Sequence, residues 1–247
     1  MKIAGDTHTH TLACRHAYST LLENIRAAAA LGQRFLVTTE HGPAMRGAPP
    51  EVFFDNIRKA VPREVEGVVV IRGCEANLLD TAGTLDLSPS AQDKLDVVLA
   101  SIHPSTFLPG QPHTSEDRTA AWLAVAENPR VDIVGHLGDP RFNFDYRRVI
   151  RALGDGGKAV ELNASSRVSR PGCEANCLEI ARLCREFGVP VVLSSDAHFC
   201  TAVGRVEWAA QLAEEAGIPE EQILNSSYRK FRDWLCSRRQ IPDLPEE

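Results

Sequence analysis

Short apolar runs and amphipathic stretches alternate along the chain. Seven runs predict buried strands: Lys2–Asp6, Arg34–His41, Gly67–Glu75, Leu95–His103, Val131–Gly138, Lys158–Ser165 and Pro190–His198. They are too short and too rich in valine for helices, and both alternating faces are apolar, as in parallel strands covered on both sides. The stretches between and after them predict helices over Thr20–Gly32, Glu51–Lys59, Ser115–Glu127, Asp145–Leu153, Glu174–Gly188, Ala202–Ala216 and Tyr228–Arg239. Thr20-x-x-Glu23 reads as a capping box, Gly32 suits the residue after a helix end, and Ser226 or Ser227 caps the last helix. The alternation predicts an α/β fold with a parallel sheet and right-handed crossovers. No G-x-G-x-x-G turn follows the first strand, which weakens a dinucleotide-binding reading. Polar residues collect at the C-terminal end of nearly every strand. A closed barrel gathers a site from many loops in this way, whereas an open sheet concentrates it at one switch point.

Composition narrows the class. Hydrophobic residues make up 43% and charged residues 24%, ordinary for a soluble globular domain. A net charge of −6 argues against a dedicated nucleic-acid binder. The sequence shows no signal-peptide core and no run of membrane-spanning length, so no membrane association is expected. Seven scattered cysteines then read as reduced thiols in a cytoplasmic protein. Cys173, Cys177 and Cys184 are spaced as one helix face, which favours buried small hydrophobes over a metal or redox pair. No linker, repeat or charge block divides residues 1–247, so a single domain is expected, with a homo-oligomer compatible with the composition.

Histidine carries the chemistry. Seven of the eight histidines sit at or just past a strand's C-terminal end: His8, His10 and His16 at the first, His41 at the second, His103 at the fourth, His136 at the fifth and His198 at the seventh. Only His113 lies elsewhere, in a loop rich in proline and glycine. Glu75 ends the third strand and Asp196 the seventh. Side chains two apart on a strand share a face, so His8 and His10 form a two-toothed clamp, as do Asp196 and His198. Neutral imidazole suits zinc, iron or manganese. Any one of these histidines alone reads better as a core histidine; their joint placement does not, because packing them without metal would bury many unpaired polar groups. The nine side chains exceed the needs of one ion and suffice for two or three, with Glu75 placed to bridge.

The motifs D-T-H-T-H, T-E-H, "RGCEAN" and "SSDAH", together with "HAYST" and "HGPAM", resemble the PHP (polymerase and histidinol phosphatase) family and its YcdX-like phosphatase branch over nearly the whole chain. The resemblance implies a distorted TIM-like (β/α)7 barrel with three divalent metal ions at the C-terminal ends of the strands, zinc before manganese or iron. Carried over by position, His8, His10, Glu75 and Asp196 hold one ion. Glu75 bridges to a second held by His103 and His136, and His16, His41 and His198 hold the third. Glu40 stands where the family usually has aspartate and is expected to orient a ligand, Leu137 replaces a common proline, and Asp6 reads as a supporting carboxylate.

Such a site implies a phosphatase that hydrolyses small phosphate monoesters with a metal-activated hydroxide. Asp196 or His198 is the candidate for proton transfer to the leaving group. The loop "NASSRVSRPG" offers Ser165, Ser166, Arg167 and Arg170 to the phosphate; Arg170 and Ser166 are preferred, with Arg15 a weaker candidate. The rival readings are a histidinol-phosphate phosphatase, a nuclease or phosphodiesterase, and a non-catalytic metal-binding or regulatory protein. An amidohydrolase is disfavoured because no strand ends in lysine.

Overall fold

The computed structural model describes residues 2–246; positions 1 and 247 of the expected domain lie outside the described residues. Seven parallel strands follow one another round the sheet in chain order: β1 (Gly5–Asp6), β2 (Phe35–His41), β4 (Val68–Asn77), β5 (Val97–Ser101), β6 (Ile133–Val134), β7 (Ala159–Asn163) and β8 (Val191–Ser194). They form the expected nearly closed barrel, with helices α1 (Leu21–Ala30), α2 (Glu51–Ala60), α4 (Ser115–Glu127), α5 (Tyr146–Asp155), α7 (Glu174–Phe187) and α8 (Glu207–Ala216) outside it and α9 (Tyr228–Arg238) last. The capping box on α1 is present, and Ser227 is the residue that caps α9.

Some elements depart from expectation. Strand β3 (Glu64–Val65) pairs antiparallel with β4 through a two-residue turn in which Glu66 (φ 51°) and Gly67 (φ 78°) are both left-handed. Tight hairpins favour this turn, but Glu-Gly is a weaker signal for it than Asn-Gly. Short helices α3 (Pro89–Gln92) and α6 (Ser166–Ser169) also lie in loops. The helix expected over Ala202–Ala216 begins only at Glu207. Gly204 N donates to Asp6 Oδ2 at 2.7 Å and draws the preceding segment into the barrel wall instead.

That wall closes at a seam between β1 and β8, where the ladder is reduced to one bridge, Thr9 to Ala197. Side chains supply the missing bonds. Asp6 accepts from Ser195 N at 3.1 Å and Ser195 Oγ at 2.5 Å. Asn225, just before α9, donates to Gly5 O and Leu193 O and accepts from Leu193 N, at 2.7–3.0 Å.

The two-residue period divides the barrel interior by height. Phe35, Val69, Val97, Ile133, Ala159 and Val192 fill the lower half and pack on Tyr228, Phe231 and Leu235 of α9, which plugs the floor. One to three repeats of the pleat further up, the inward positions become His41, Glu75, Glu161 and Asp196. Gly135 makes room for them: a Cβ there would lie 2.4 Å from Ser101 Oγ and 3.3 Å from Glu161 Oε2. The outer faces of the strands pack against the helices.

Candidate metal centre

All nine expected donors meet at the upper end of the barrel. His8 Nε2 and His10 Nε2 are 3.0 Å apart. Glu75 Oε2 lies 3.3 and 3.4 Å from them, and Asp196 Oδ1 3.5 and 3.3 Å. Four donors about 2.1 Å from one ion in a tetrahedron would stand about 3.4 Å apart. Glu75 turns its other oxygen, Oε1, to His136 Nε2 at 2.8 Å and His103 Nε2 at 3.4 Å. The carboxylate thus spans two groups of imidazoles. A third group opens toward solvent: His16 and His41 bring their Nε2 atoms to 3.0 Å, and the His16 and His198 rings stack at 5.0 Å. His10 shares in it, its ring 4.3 Å from that of His41 and 4.4 Å from that of His198.

The chain imposes this geometry at a cost. Among the described residues only four non-glycines have positive φ, and His136 (33°) and Asp196 (55°) are two of them. Such backbone costs about 1–3 kcal/mol per residue and persists only where neighbours hold it. Here His136 N donates to Glu161 Oε2 at 2.7 Å, and Asn163 Nδ2 holds Asp196 Oδ2 at 3.1 Å.

Hydrogen bonds also set which imidazole nitrogen faces inward. His8 Nδ1 donates to Glu161 Oε1 at 2.6 Å, His103 Nδ1 to Asn77 Oδ1 at 2.8 Å and His198 Nδ1 to the Asp196 carbonyl at 3.0 Å. Each leaves Nε2 as a lone pair for the cluster. Burial opposes charge on Glu75, but His41, His8 and His103 outweigh it and hold its carboxyl well below the usual range. Asp196 is likewise held low, by His8, His10 and Arg170. Burial pushes His103 down to about 4 and holds His10 well below the usual imidazole range. On His8 and His41 burial is outweighed, chiefly by Glu161 and Glu75 respectively, and their pKa values rise. The resulting state, ionised carboxylates among several neutral imidazoles, is the one metal binding requires. One anionic atom remains without a hydrogen bond. Glu75 Oε2 and His41 Nδ1 approach to 2.7 Å out of hydrogen-bonding alignment, and each is buried and unsatisfied. A buried anion left in this way is expensive without a cation. The donor set fits divalent metal.

The remaining candidates divide. Arg170 is buried and reaches the site, its Nη2 3.7 Å from Asp196 Oδ2. Ser166 Oγ is buried and accepts from Arg170 Nη1 at 3.2 Å, with Ser169 Oγ at 3.0 Å. Arg15 and Arg167 are exposed at the rim. Glu40 sits at the edge of the cluster, in a group with His10 and Cys14 whose donor atoms lie within 4.8 Å of one another. Its Oε2 accepts from Thr11 N at 3.2 Å, and Cys14 beside it accepts from His41 N through its sulfur. Asp6 is spent on the seam. His113 bonds to Arg118 and stacks on Phe142, away from the cluster. All seven cysteines are free; Cys173 and Cys184 are buried and Cys177 is half-buried. Glu161, Asn77 and Asn163, which hold the ligands in place, carry a weaker signal in the sequence, a polar side chain within or at the end of an apolar run.

A family model described as "PHP domain" matches residues 6–165. The chain belongs to the PHP family. A protein named "Probable phosphatase" from Clostridium botulinum (strain Langeland) is 40% identical to this PHP chain over 244 residues, 99% of each. One of the same name from Acetivibrio thermocellus is 42% identical over 240 residues, 97% of this chain and 98% of its own. Among solved structures, histidinol phosphate phosphatase from Lactococcus lactis, complexed with zinc, L-histidinol and phosphate, matches with a TM-score of 0.60 at 18% identity, over 87% of this chain and 94% of that one. The fold of this PHP chain is therefore that of its neighbours. No helix among its described residues is long and apolar enough to cross a membrane.

Proposed function

We propose that this PHP enzyme is a metal-dependent phosphatase of small phosphate monoesters, holding three divalent ions, zinc before manganese or iron. His8, His10, Glu75 and Asp196 hold the first, Glu75 with His103 and His136 the second, and His16, His41 and His198 the third. The observation that carries this is the convergence of His8 Nε2, His10 Nε2 and Glu75 Oε2 within 3.4 Å of one another, with Asp196 Oδ1 3.3–3.5 Å from both imidazoles. When bound, such ions supply an acidified water and positive charge for the phosphoryl oxygens.

The chain's own groups do the rest. Arg170, held by Ser166 and Ser169, presents its guanidinium beside Asp196, where it grips a phosphoryl oxygen as charge builds. Ser166 acts by holding Arg170. Asp196 is held as an anion, so it orients rather than donates a proton. His198, a third exposed at the mouth, is committed on both ring nitrogens, Nδ1 to the Asp196 carbonyl and Nε2 to the third ion, so it too orients rather than donates a proton.

The test is elemental analysis of the purified protein paired with phosphate release from phenyl phosphate. Two or three ions per chain are expected, with release that needs metal and falls at least a hundredfold in the His8→Ala/His10→Ala variant. Fewer than two ions after reconstitution, or release indifferent to metal, overturns the reading.

A further inference from the structure

Beside the histidine cluster the barrel mouth opens into a cavity of about 740 Å³, with His16, Asp196 and His198 on one wall. That volume takes a small molecule larger than phosphate alone. The other walls come from the segments after β7 and β8 and from the start of α8, and two properties set them apart.

The first is charge. Arg167 and Arg205 line the cavity, both exposed, and neither has a carboxylate within ion-pair distance among the described residues. Arg205 spends only Nε, on Thr201 O. Most of the chain's other arginines do have such a carboxylate, as Arg63 and Arg72 have Asp96 and Arg238 and Arg239 have Asp132. Apart from Asp196, the walls offer one carboxylate, Glu207, against these two guanidinium groups. In a protein of net charge −6 this is a local excess of positive charge beside the reacting centre.

The second is aromatic surface. Among the described residues seven large hydrophobic side chains are exposed, and the only two aromatic ones among them, Tyr18 at 69% and Phe199 at 48%, both line this cavity. Trp208 stands half-buried beside them. Ring faces left in water at the mouth of a polar site suit a planar partner.

We infer that the substrate is a phosphate monoester whose alcohol part carries a planar ring and a second anionic group, a carboxylate or a second phosphate. The ester phosphate sits at the histidine cluster, the ring lies against Tyr18 and Phe199, and the second anion meets Arg167 and Arg205. An alcohol part bearing an ammonium group would meet the guanidinium pair and be disfavoured. This rests on the phosphatase reading and specifies its substrate.

The experiment compares kcat/KM of the metal-loaded protein for four esters that share one ring: phenyl phosphate, 4-carboxyphenyl phosphate, 1,4-phenylene bisphosphate and 4-(aminomethyl)phenyl phosphate. At least one ester bearing the second anionic group should exceed phenyl phosphate about ten-fold and the aminomethyl ester should fall below it. Which of those two esters leads tells carboxylate from phosphate. In the Arg167→Ala/Arg205→Ala variant the preference should collapse toward one, through KM, while Arg229→Ala on α9 keeps it. Hydrolysis of all four esters at similar efficiency, or a preference unmoved in the double variant, overturns this inference and leaves the phosphatase reading standing. No metal-dependent hydrolysis of any ester overturns both.

Discussion

Glu161 is the residue on which the cluster's geometry turns. Its two oxygens accept from His8 Nδ1, His136 N, Asn163 Nδ2 and Ser194 Oγ, at 2.5–3.2 Å. Burial works against its charge, but His8 outweighs that and keeps the carboxyl below its usual range. One carboxylate thus fixes the tautomer of His8 and the strained backbone of His136. In Glu161→Gln one oxygen becomes an NH2 facing donors, so His8 loses its orientation or its tautomer. Metal affinity should fall about 10–100-fold, as is usual when a ligand's hydrogen-bond partner is changed. Competition with a chelator measures it, with circular dichroism to confirm folding; an unchanged affinity would remove Glu161 from this role. The ligands were legible in the sequence because histidines at strand ends are conspicuous. Glu161 was not, because a lone glutamate inside "KAVELNAS" is equally an ion-pair partner on the outer face until the register shows which way it points.

At the scale of elements, parallel strands were legible wherever apolar runs were long, as in β2 and β4, which pair over seven residues. The closure was not. Strand β1 ladders through only two residues, and its edge toward β8 is completed by side chains distant in sequence. Asn225 sits 220 residues from Gly5 and 32 from Leu193, and nothing local in "ILNSS" announces that it joins them. The same reach makes it a sensitive position. Asn225→Ala strips partners from three buried backbone groups, and each such group left unsatisfied costs about 1–3 kcal/mol. We expect a loss of about 3 kcal/mol or more in urea unfolding, and Asn225→Leu, which keeps the volume, should not rescue it. A loss under 1 kcal/mol in both variants would mean that the seam holds without this side chain.

The whole molecule is polarised along the barrel axis: imidazoles and carboxylates above, aliphatic layers in the middle, and a floor where α9 meets the N-terminal ends of the strands. That floor holds its own charges. Asp96 takes Arg63 and Arg72, and Asp132 takes Arg238 and Arg239. Among them Lys158, at the entry to β7, is buried and donates to the Asn128 carbonyl. Burial, with Arg238 nearby, pushes its ammonium down to about 8. An unfolded chain holds that proton until about pH 10.4. Below pH 8 both states carry the charge, and the folded state bears the full cost of burying it. Between pH 8 and about 10.4 the unfolded state binds more protons, so the contribution of Lys158 to stability rises with pH. Lys158→Met abolishes that rise. The difference in unfolding free energy between the variant and the parent should therefore shift in favour of the parent from pH 8 to pH 10. Because the metal centre lies at the opposite end and is common to both proteins, its own titration cancels in the difference. Urea unfolding of the pair at pH 7, 8.5 and 10 measures it, and a difference that stays constant over that range would show the lysine to keep its ordinary proton affinity.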